Sequence, residues 1–471
     1  MNYTDEQIRS IIKSTVSKII AENGGAAAIA STAGGWMFDD PNDAIAAAKA
    51  SQALLAKMTL EKRGRLIEAM RQAARKNARY LAELAHNETG YGHVEDKVLK
   101  NELAANKTPG IEDLQPRAFT GDWGLTLVEL APFGVIGSIT PSTNPTATVI
   151  NNSISMIAAG NAVVYNPHPA AKHASQEAMR ILNEAIVAAG GPPALITTPT
   201  TPTLETGKVI MEHKDVRILS ITGGEAVVRT AMKVGKKVIA AGPGNPPVIV
   251  DDTALIKKAA KDIVDGASFD NNVLCIAEKE VFAFNNIFDE LMREMEANGA
   301  YRIYGADIDK VVATALIQKD GKYVINRKYV GHDAALILRD SGVNFTGNPR
   351  LIIAEVDRNH PFVMVEMLMP VLGCVRVANI DEAISEAVRA EQGCWHSAMI
   401  HSTNVKNMSA AAAALNTTIF VKNGPSYSSL AVDGEGYTTL TIATPTGEGL
   451  TSARSFARAR RCTLKGDFHI V

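Results

Sequence analysis

Residues 131–165 constrain the fold more than any other stretch. Val135, Ile136 and Ile139 mark a short apolar strand over 135–139. Pro141 and Pro145 then prevent a regular continuation, because proline fixes its own φ and restricts the residue before it. Asn144 stands at the tip of the resulting turn. Residues 147–159 follow as a helix with small and apolar faces, stopped at Gly160-Asn161, and Ala162-Val163-Val164-Tyr165 reads as a second buried strand. Strand, helix and strand in this compass predict a parallel sheet. Open α/β sheets bind ligands at the carboxyl ends of their strands, so the turn over 140–145 is expected at a ligand site.

The run Phe269-Asp270-Asn271-Asn272-Val273-Leu274-Cys275-Ile276-Ala277-Glu278 is the second informative feature. Residues 265–272 are polar and small, which suits a loop at the mouth of a cleft, and 276–284 read as a buried strand. A thiol where a loop enters a strand is held rigidly yet can be reached. A lone cysteine is more often a packing residue; the turn upstream favours a nucleophile instead. Cys374, Cys394 and Cys462 read as packing or surface thiols, and no Cys or His pair has metal-type spacing. No metal site is expected.

A third apolar strand over 216–221 ends at Thr222-Gly223-Gly224, ahead of a helix over about 225–234. Glycines let backbone approach a phosphate, and a helix N-terminus favours negative charge. No Gly-x-Gly-x-x-Gly is present. Gly242-Pro243-Gly244 is followed by Pro246-Pro247 and cannot open a phosphate-binding helix.

Pro132-Phe133-Gly134-Val135-Ile136-Gly137, the Asn144-Pro145 turn, Ala158-Ala159-Gly160-Asn161-Ala162-Val163, Ile221-Thr222-Gly223-Gly224, the Asn-Asn-Val-Leu-Cys run and Glu366-Met367-Leu368-Met369-Pro370-Val371 together resemble the aldehyde dehydrogenase superfamily. They match in order and approximate spacing over most of the chain. Gly424-Pro425-Ser426-Tyr427, Gly434-Glu435-Gly436-Tyr437 and residues 441–449 are similar to the CoA-acylating branch, and residues 451–458 to the propionaldehyde and acetaldehyde dehydrogenases of bacterial microcompartments.

The resemblance implies an α/β fold of aldehyde dehydrogenase type: a Rossmann-type cofactor domain, an α/β catalytic domain and a small β oligomerisation arm. The expected divisions are 37–240 for NAD and CoA binding, with an oligomerisation hairpin at 119–131, then 241–435 for catalysis and 436–471 for a C-terminal oligomerisation segment. It implies Cys275 as nucleophile toward a short-chain aldehyde, propanal or acetaldehyde. A thiolate adds to the carbonyl and makes an adduct able to release hydride. The Asn144 amide and the Cys275 backbone N–H would hold the oxyanion; taken alone, Asn144 reads sooner as a turn residue capping the following helix. Ile139, Thr140, Pro141, Ser142, Asn166, Thr222, Gly223, Gly224, Glu366 and Pro370 would line the NAD site, with Glu366 on the nicotinamide ribose. Asn166-Pro167-His168 stands where many relatives carry a lysine, which leaves NAD against NADP open. His396 would accept the proton of the CoA thiol, or else serve as a hydrogen-bonded core histidine.

Hydrolytic relatives carry a glutamate about one strand before the nucleophile. Ala240 or Ala241 falls at its place, and no acid stands between Lys237 and Asp251. Without a positioned base water is a poor nucleophile, whereas a thiol is partly ionised near neutrality. The thioester is therefore expected to pass to CoA. The alternatives are a hydrolytic NAD(P)-dependent enzyme and a cysteine acyltransferase that needs no nicotinamide.

The 471 residues suffice for two or three domains, and a net charge of -2 points to neither nucleic acid nor an anionic surface as partner. Four cysteines without regular spacing suit a reducing compartment, and no apolar run is long enough to span a bilayer. Ile8, Ile11, Ile12, Val16, Ile19 and Ile20 recur at helical spacing, giving an amphipathic helix over 1–20 on a flexible linker over 21–36. Similar helices on microcompartment enzymes target them to the shell interior, so the resemblance implies shell or cargo proteins as partners of residues 1–20 and a location in the microcompartment lumen, within the cytoplasm. A dimer or tetramer is expected. The hairpin over 121–130 is expected to pair with a strand over 437–442, and the basic cluster over 454–461 to be solvated or at a subunit contact.

Overall fold

A computed structural model describes residues 35–470; the expected helix over 1–20 and nearly all of its linker lie outside the described residues. After the short strand Met37–Phe38 come three helices, Pro41–Leu55, Leu60–Lys76 and Ala78–Thr89, followed by a fourth, Val94–Lys107.

The first sheet has six parallel strands in the order Met37–Phe38, Ile196–Pro199, Ala162–Pro167, Val135–Thr140, Val216–Thr222, Lys237–Ala241. The crossover from Val135–Thr140 to its neighbour is the helix Pro145–Ala158, whose fourteen residues are all buried. Small side chains admit that burial, and several of its polar groups find partners: Ser153 bonds the Tyr165 hydroxyl at 2.9 Å and Asn151 accepts the Leu440 N–H at 3.0 Å. Gly137 lies in the central strand because a Cβ there would stand 2.8 Å from Ile210. Strand order reverses between Val135–Thr140 and Val216–Thr222. The crevice at such a switch point lies at the strands' carboxyl ends, here at Thr140 and Thr222.

The second sheet has seven parallel strands in the order Ala300–Ile303, Leu351–Glu355, Val371–Val377, Glu280–Phe284, Pro247–Val250, Ser397–His401, Ile419–Lys422. Residues 242–246 carry the chain directly from the carboxyl end of the first sheet to the amino end of the second. No helix follows Gly244, as the prolines require.

Three expectations are corrected. Residues 265–268 are the last turn of the helix Ile256–Ser268 rather than loop, and the strand after Cys275 begins only at Glu280. The hairpin Arg117–Gly121 with Gly124–Pro132 pairs with Ala457–Lys465, not with 437–442. Of that latter segment only Ile442 is strand, within Ile442–Ala443, which pairs with Gly449–Leu450. The basic cluster therefore lies largely along an exposed strand of the three-stranded sheet.

Candidate active site

Four segments reach the gap between the sheets from the amino ends of the second sheet's strands. Gly244 precedes Pro247–Val250, Cys275 precedes Glu280–Phe284, Glu366 precedes Val371–Val377, and His396 directly precedes Ser397–His401. Asn144 and Thr222 reach the same gap from the carboxyl ends of the first sheet.

Gly244 is the meeting point. Its N–H donates to Glu366 Oε1 at 3.3 Å. A Cβ built on it would stand 2.8 Å from His396 Cγ and 3.0 Å from the Cys275 carbonyl oxygen. The segment discounted as a phosphate loop thus brings three of the sequence-predicted site residues together.

Cys275 is partly exposed in a turn whose backbone is tightly specified. Asp270, Asn271 and Asn272 all have positive φ, a conformation that costs most residues energy and that Asn and Asp tolerate best. Asn272 donates to the carbonyls of Ala267 at 2.8 Å and Glu278 at 3.0 Å. Lys279, only 1 % exposed, sends its ammonium to Asn272 Oδ1 at 2.6 Å, to the Leu274 carbonyl at 3.0 Å and to the Ala277 carbonyl at 3.3 Å. A buried cation with three acceptors closes the turn that carries the nucleophile. Burial and then Glu366 push the Cys275 thiol up to about 12, against the opposing pull of Lys279 and of the Cys275 and Ile276 N–H groups. Burial lifts Glu366 itself to about 7, with Lys279 pulling the other way.

Sequence reasoning missed Lys279, because Glu278-Lys279-Glu280 reads as a solvated charge triplet. All three side chains are buried. Glu278 accepts the Ser426 N–H at 2.8 Å and its hydroxyl at 2.7 Å, and burial holds the Glu280 carboxyl well above the usual range. The signal available was position: a triplet hemmed between apolar runs.

Asn144 is the N-cap residue of Pro145–Ala158, yet its side chain makes no capping bond. The amide oxygen instead accepts the Lys100 ammonium at 2.6 Å. The capping alternative is thereby set aside.

His396 is fully buried. Its Nδ1 lies 2.8 Å from Ser397 Oγ, and Nε2 has no protein partner among the described residues. Burial pulls it down to about 4, which leaves it neutral at pH 7. The Glu391 carboxylate fixes the turn before it by accepting the His396 N–H at 2.9 Å. His401, five residues on, faces Asp262 at 3.9 Å, away from this group.

The expected cofactor residues divide. Thr140 is buried with an unpartnered hydroxyl, and Ile139, Pro141 and Ser142 are partly exposed beside it. Gly223 and Gly224 face open space, since a Cβ on either would meet nothing within 4 Å, and Gly224 leaves the N-terminus of Glu225–Met232 without a side-chain cap. Thr222 bonds Thr441 at 2.9 Å. Free N–H groups at a helix start, an open glycine edge and a carboxylate held by one long bond suit the phosphates and ribose of a dinucleotide. Asn166 is already occupied: it donates to the Thr203 carbonyl at 3.0 Å and accepts from Thr206 at 2.7 Å. Pro370 is buried just before the strand Val371–Val377, its carbonyl accepting the Ile352 N–H.

Comparison with known proteins agrees with this arrangement. The chain matches the aldehyde dehydrogenase family over residues 7–437. It is 51 % identical over 438 residues to an acetylating acetaldehyde dehydrogenase of Salmonella typhimurium, covering 92 % of this chain and 93 % of that one. It is 47 % identical to a CoA-propanoylating propanal dehydrogenase of the same organism, covering 93 % and 94 %. Its structure superposes with TM-score 0.90 on a propionaldehyde dehydrogenase from the fucose-utilisation microcompartment of Clostridium phytofermentans, at 47 % identity over 92 % of this chain and 99 % of that one. A Rhodopseudomonas palustris propionaldehyde dehydrogenase, solved with bound CoA and an acylated cysteine, gives TM-score 0.89 at 45 % identity over 91 % and 98 %. With a thiol-bearing turn, a carboxylate and an imidazole drawn together at Gly244 between two parallel sheets, and a match across nearly its whole length, the chain belongs to the aldehyde dehydrogenase family.

Proposed function

We infer that the protein is a CoA-acylating aldehyde dehydrogenase: short-chain aldehyde, CoA and NAD⁺ give acyl-CoA, NADH and a proton. The Cys275 sulfur adds to the aldehyde carbon. The Asn144 amide and the Cys275 N–H stabilise the oxygen as charge develops. Thr140, Ser142, Gly223 and Gly224, with Glu366 toward the ribose, would hold NAD⁺, which would supply the hydride acceptor. The resulting thioester on Cys275 is attacked by the CoA thiol, His396 takes up the proton, and the Cys275 thiolate leaves.

The observation that carries this reading is the strand Lys237–Ala241, which runs to the site with Ala240 and Ala241 buried and no carboxylate before Asp251. One observation favours hydrolysis instead: Glu366 acts on the thiol and is lifted to about 7, in the range of a general base. Product analysis separates the two. With CoA the product is acyl-CoA; equal turnover to carboxylic acid without CoA establishes hydrolysis. Cys275→Ala abolishes NADH formation, and retained turnover removes the mechanism.

The amphipathic pattern of residues 1–20 and the microcompartment source of a structural relative support a location in a microcompartment lumen, with shell or cargo proteins as partners. A reporter carrying residues 1–20 tests this: it gathers into shells, and a diffuse signal in shell-forming cells rejects it. The largely exposed strands Arg117–Gly121 and Ala457–Lys465 of the three-stranded sheet, with Trp123 84 % exposed, support a homo-oligomer, which light scattering measures.

A further inference from the structure

The helix Val94–Lys107 sends two lysines into the interior, against the segment that leads to Cys275. Lys97 and Lys100 are both 3 % exposed and both bond Asp270 Oδ2, whose residue is fully buried. Asp270 Oδ1 accepts the His93 N–H at 2.8 Å, and the Asp270 N–H donates to Asp96 at 2.8 Å. Only Lys100 goes further. Its ammonium also donates to Asn144 Oδ1 at 2.6 Å, while Asn144 Nδ2 has only a long 3.4 Å approach to Thr143 Oγ1.

The chemistry of this contact is directional. Lysine is a donor only, so the oxygen end of the Asn144 amide must face it; the flipped amide would set NH₂ against an ammonium. An asparagine that presents its oxygen to a developing oxyanion repels it, and one that presents its nitrogen stabilises it. A cation on the amide oxygen also polarises the N–H bonds and strengthens them as donors. Asp270 lies five residues before Cys275, on the same positive-φ turn, so this network ties one oxyanion donor to the segment that carries the other.

We propose that Lys100 is a positioning residue for catalysis: it fixes the Asn144 amide with its nitrogen toward the reacting oxygen and, through Asp270, registers Asn144 against the Cys275 turn. This inference rests on the reading of Asn144 as an oxyanion donor.

The test is a double-mutant cycle on the full chain with aldehyde, CoA and NAD⁺. Asn144→Ala lowers kcat/KM by about 10²–10³, the usual cost of one oxyanion donor. Lys100→Met loses activity to within about ten-fold of Asn144→Ala, mostly in kcat, and the double variant is within about three-fold of Asn144→Ala because the two act as one unit. Lys97→Met is the structural control: it removes the other lysine's bond to the same Asp270 oxygen, and its loss multiplies with that of Asn144→Ala. Lys100→Gln keeps a neutral donor and covers the case in which Lys100→Met fails to fold; its loss is likewise non-additive with Asn144→Ala. Additive losses for both Lys100 variants, or wild-type kcat in either, overturn the proposal. Full activity in Asn144→Ala overturns the underlying reading and the proposal with it, whereas a loss there with none at Lys100 rejects the proposal alone.

Discussion

Gly244 and His396 are in contact so close that no other residue fits at 244: the first side-chain carbon would lie 2.8 Å from the imidazole Cγ. The next obstacle, 3.0 Å away, is the Cys275 carbonyl, which cannot retreat without moving the nucleophile turn. Gly244→Ala is expected to destabilise the fold by about 1–3 kcal/mol through overpacking and to depress acyl transfer to CoA more than alkylation of Cys275. Thermal unfolding and stopped-flow acyl transfer measure the two; unchanged transfer contradicts the placement of His396.

Two charged neighbours pull the Cys275 thiol in opposite directions. Glu366 holds it up and Lys279 holds it down. The thiolate is the reactive form, so reactivity of the free enzyme rises with pH. Glu366→Gln is expected to move the rise to lower pH and Lys279→Met to higher pH. Peptide-resolved iodoacetamide labelling across pH 6–10 follows Cys275 apart from the exposed Cys462. Shifts in the same direction contradict the electrostatic account.

Much of the fold was legible because its signals are local. The turn at Pro141 and Pro145, the small-residue helix after it and the apolar strands around it need only neighbouring residues to be read. The third strand of the arm was not legible: Ala457–Lys465 meets Gly124–Pro132 across more than 300 residues of chain, and its arginines resemble a solvated cluster. At the site, Cys275, Asn144 and Glu366 were visible as motifs. Lys279, Lys100 and Gly244 were not, since their roles depend on carbonyls and rings delivered by distant segments.

Glu278 gives the fold a pH dependence. Its carboxyl titrates at about 7 in the folded chain against 4.5 as its ordinary value, because burial disfavours the charged form. A raised folded value means that this contribution to stability is fully present below about 4.5 and is lost as pH rises through about 7. Glu278→Gln is expected to flatten the dependence between pH 5 and 8, by at most about 1.4 kcal/mol per pH unit. Urea unfolding at several pH values checks it; an unchanged slope contradicts it.

Turnover without CoA is expected to stall after one cycle. The covalent acyl group blocks the thiol and no base stands at Ala240 or Ala241 to activate water. Rapid mixing with aldehyde and NAD⁺ should show a burst of about one NADH per site, as covalent catalysis predicts, and CoA should restart it. Steady NADH production without CoA contradicts this.

The most direct measurement is the mass of the protein quenched in acid after aldehyde and NAD⁺ are added without CoA. The account predicts an added acyl group that maps to the peptide containing Cys275, disappears on adding CoA and never forms in Cys275→Ala. An acyl group on another side chain, or none at any time during the burst, would contradict it.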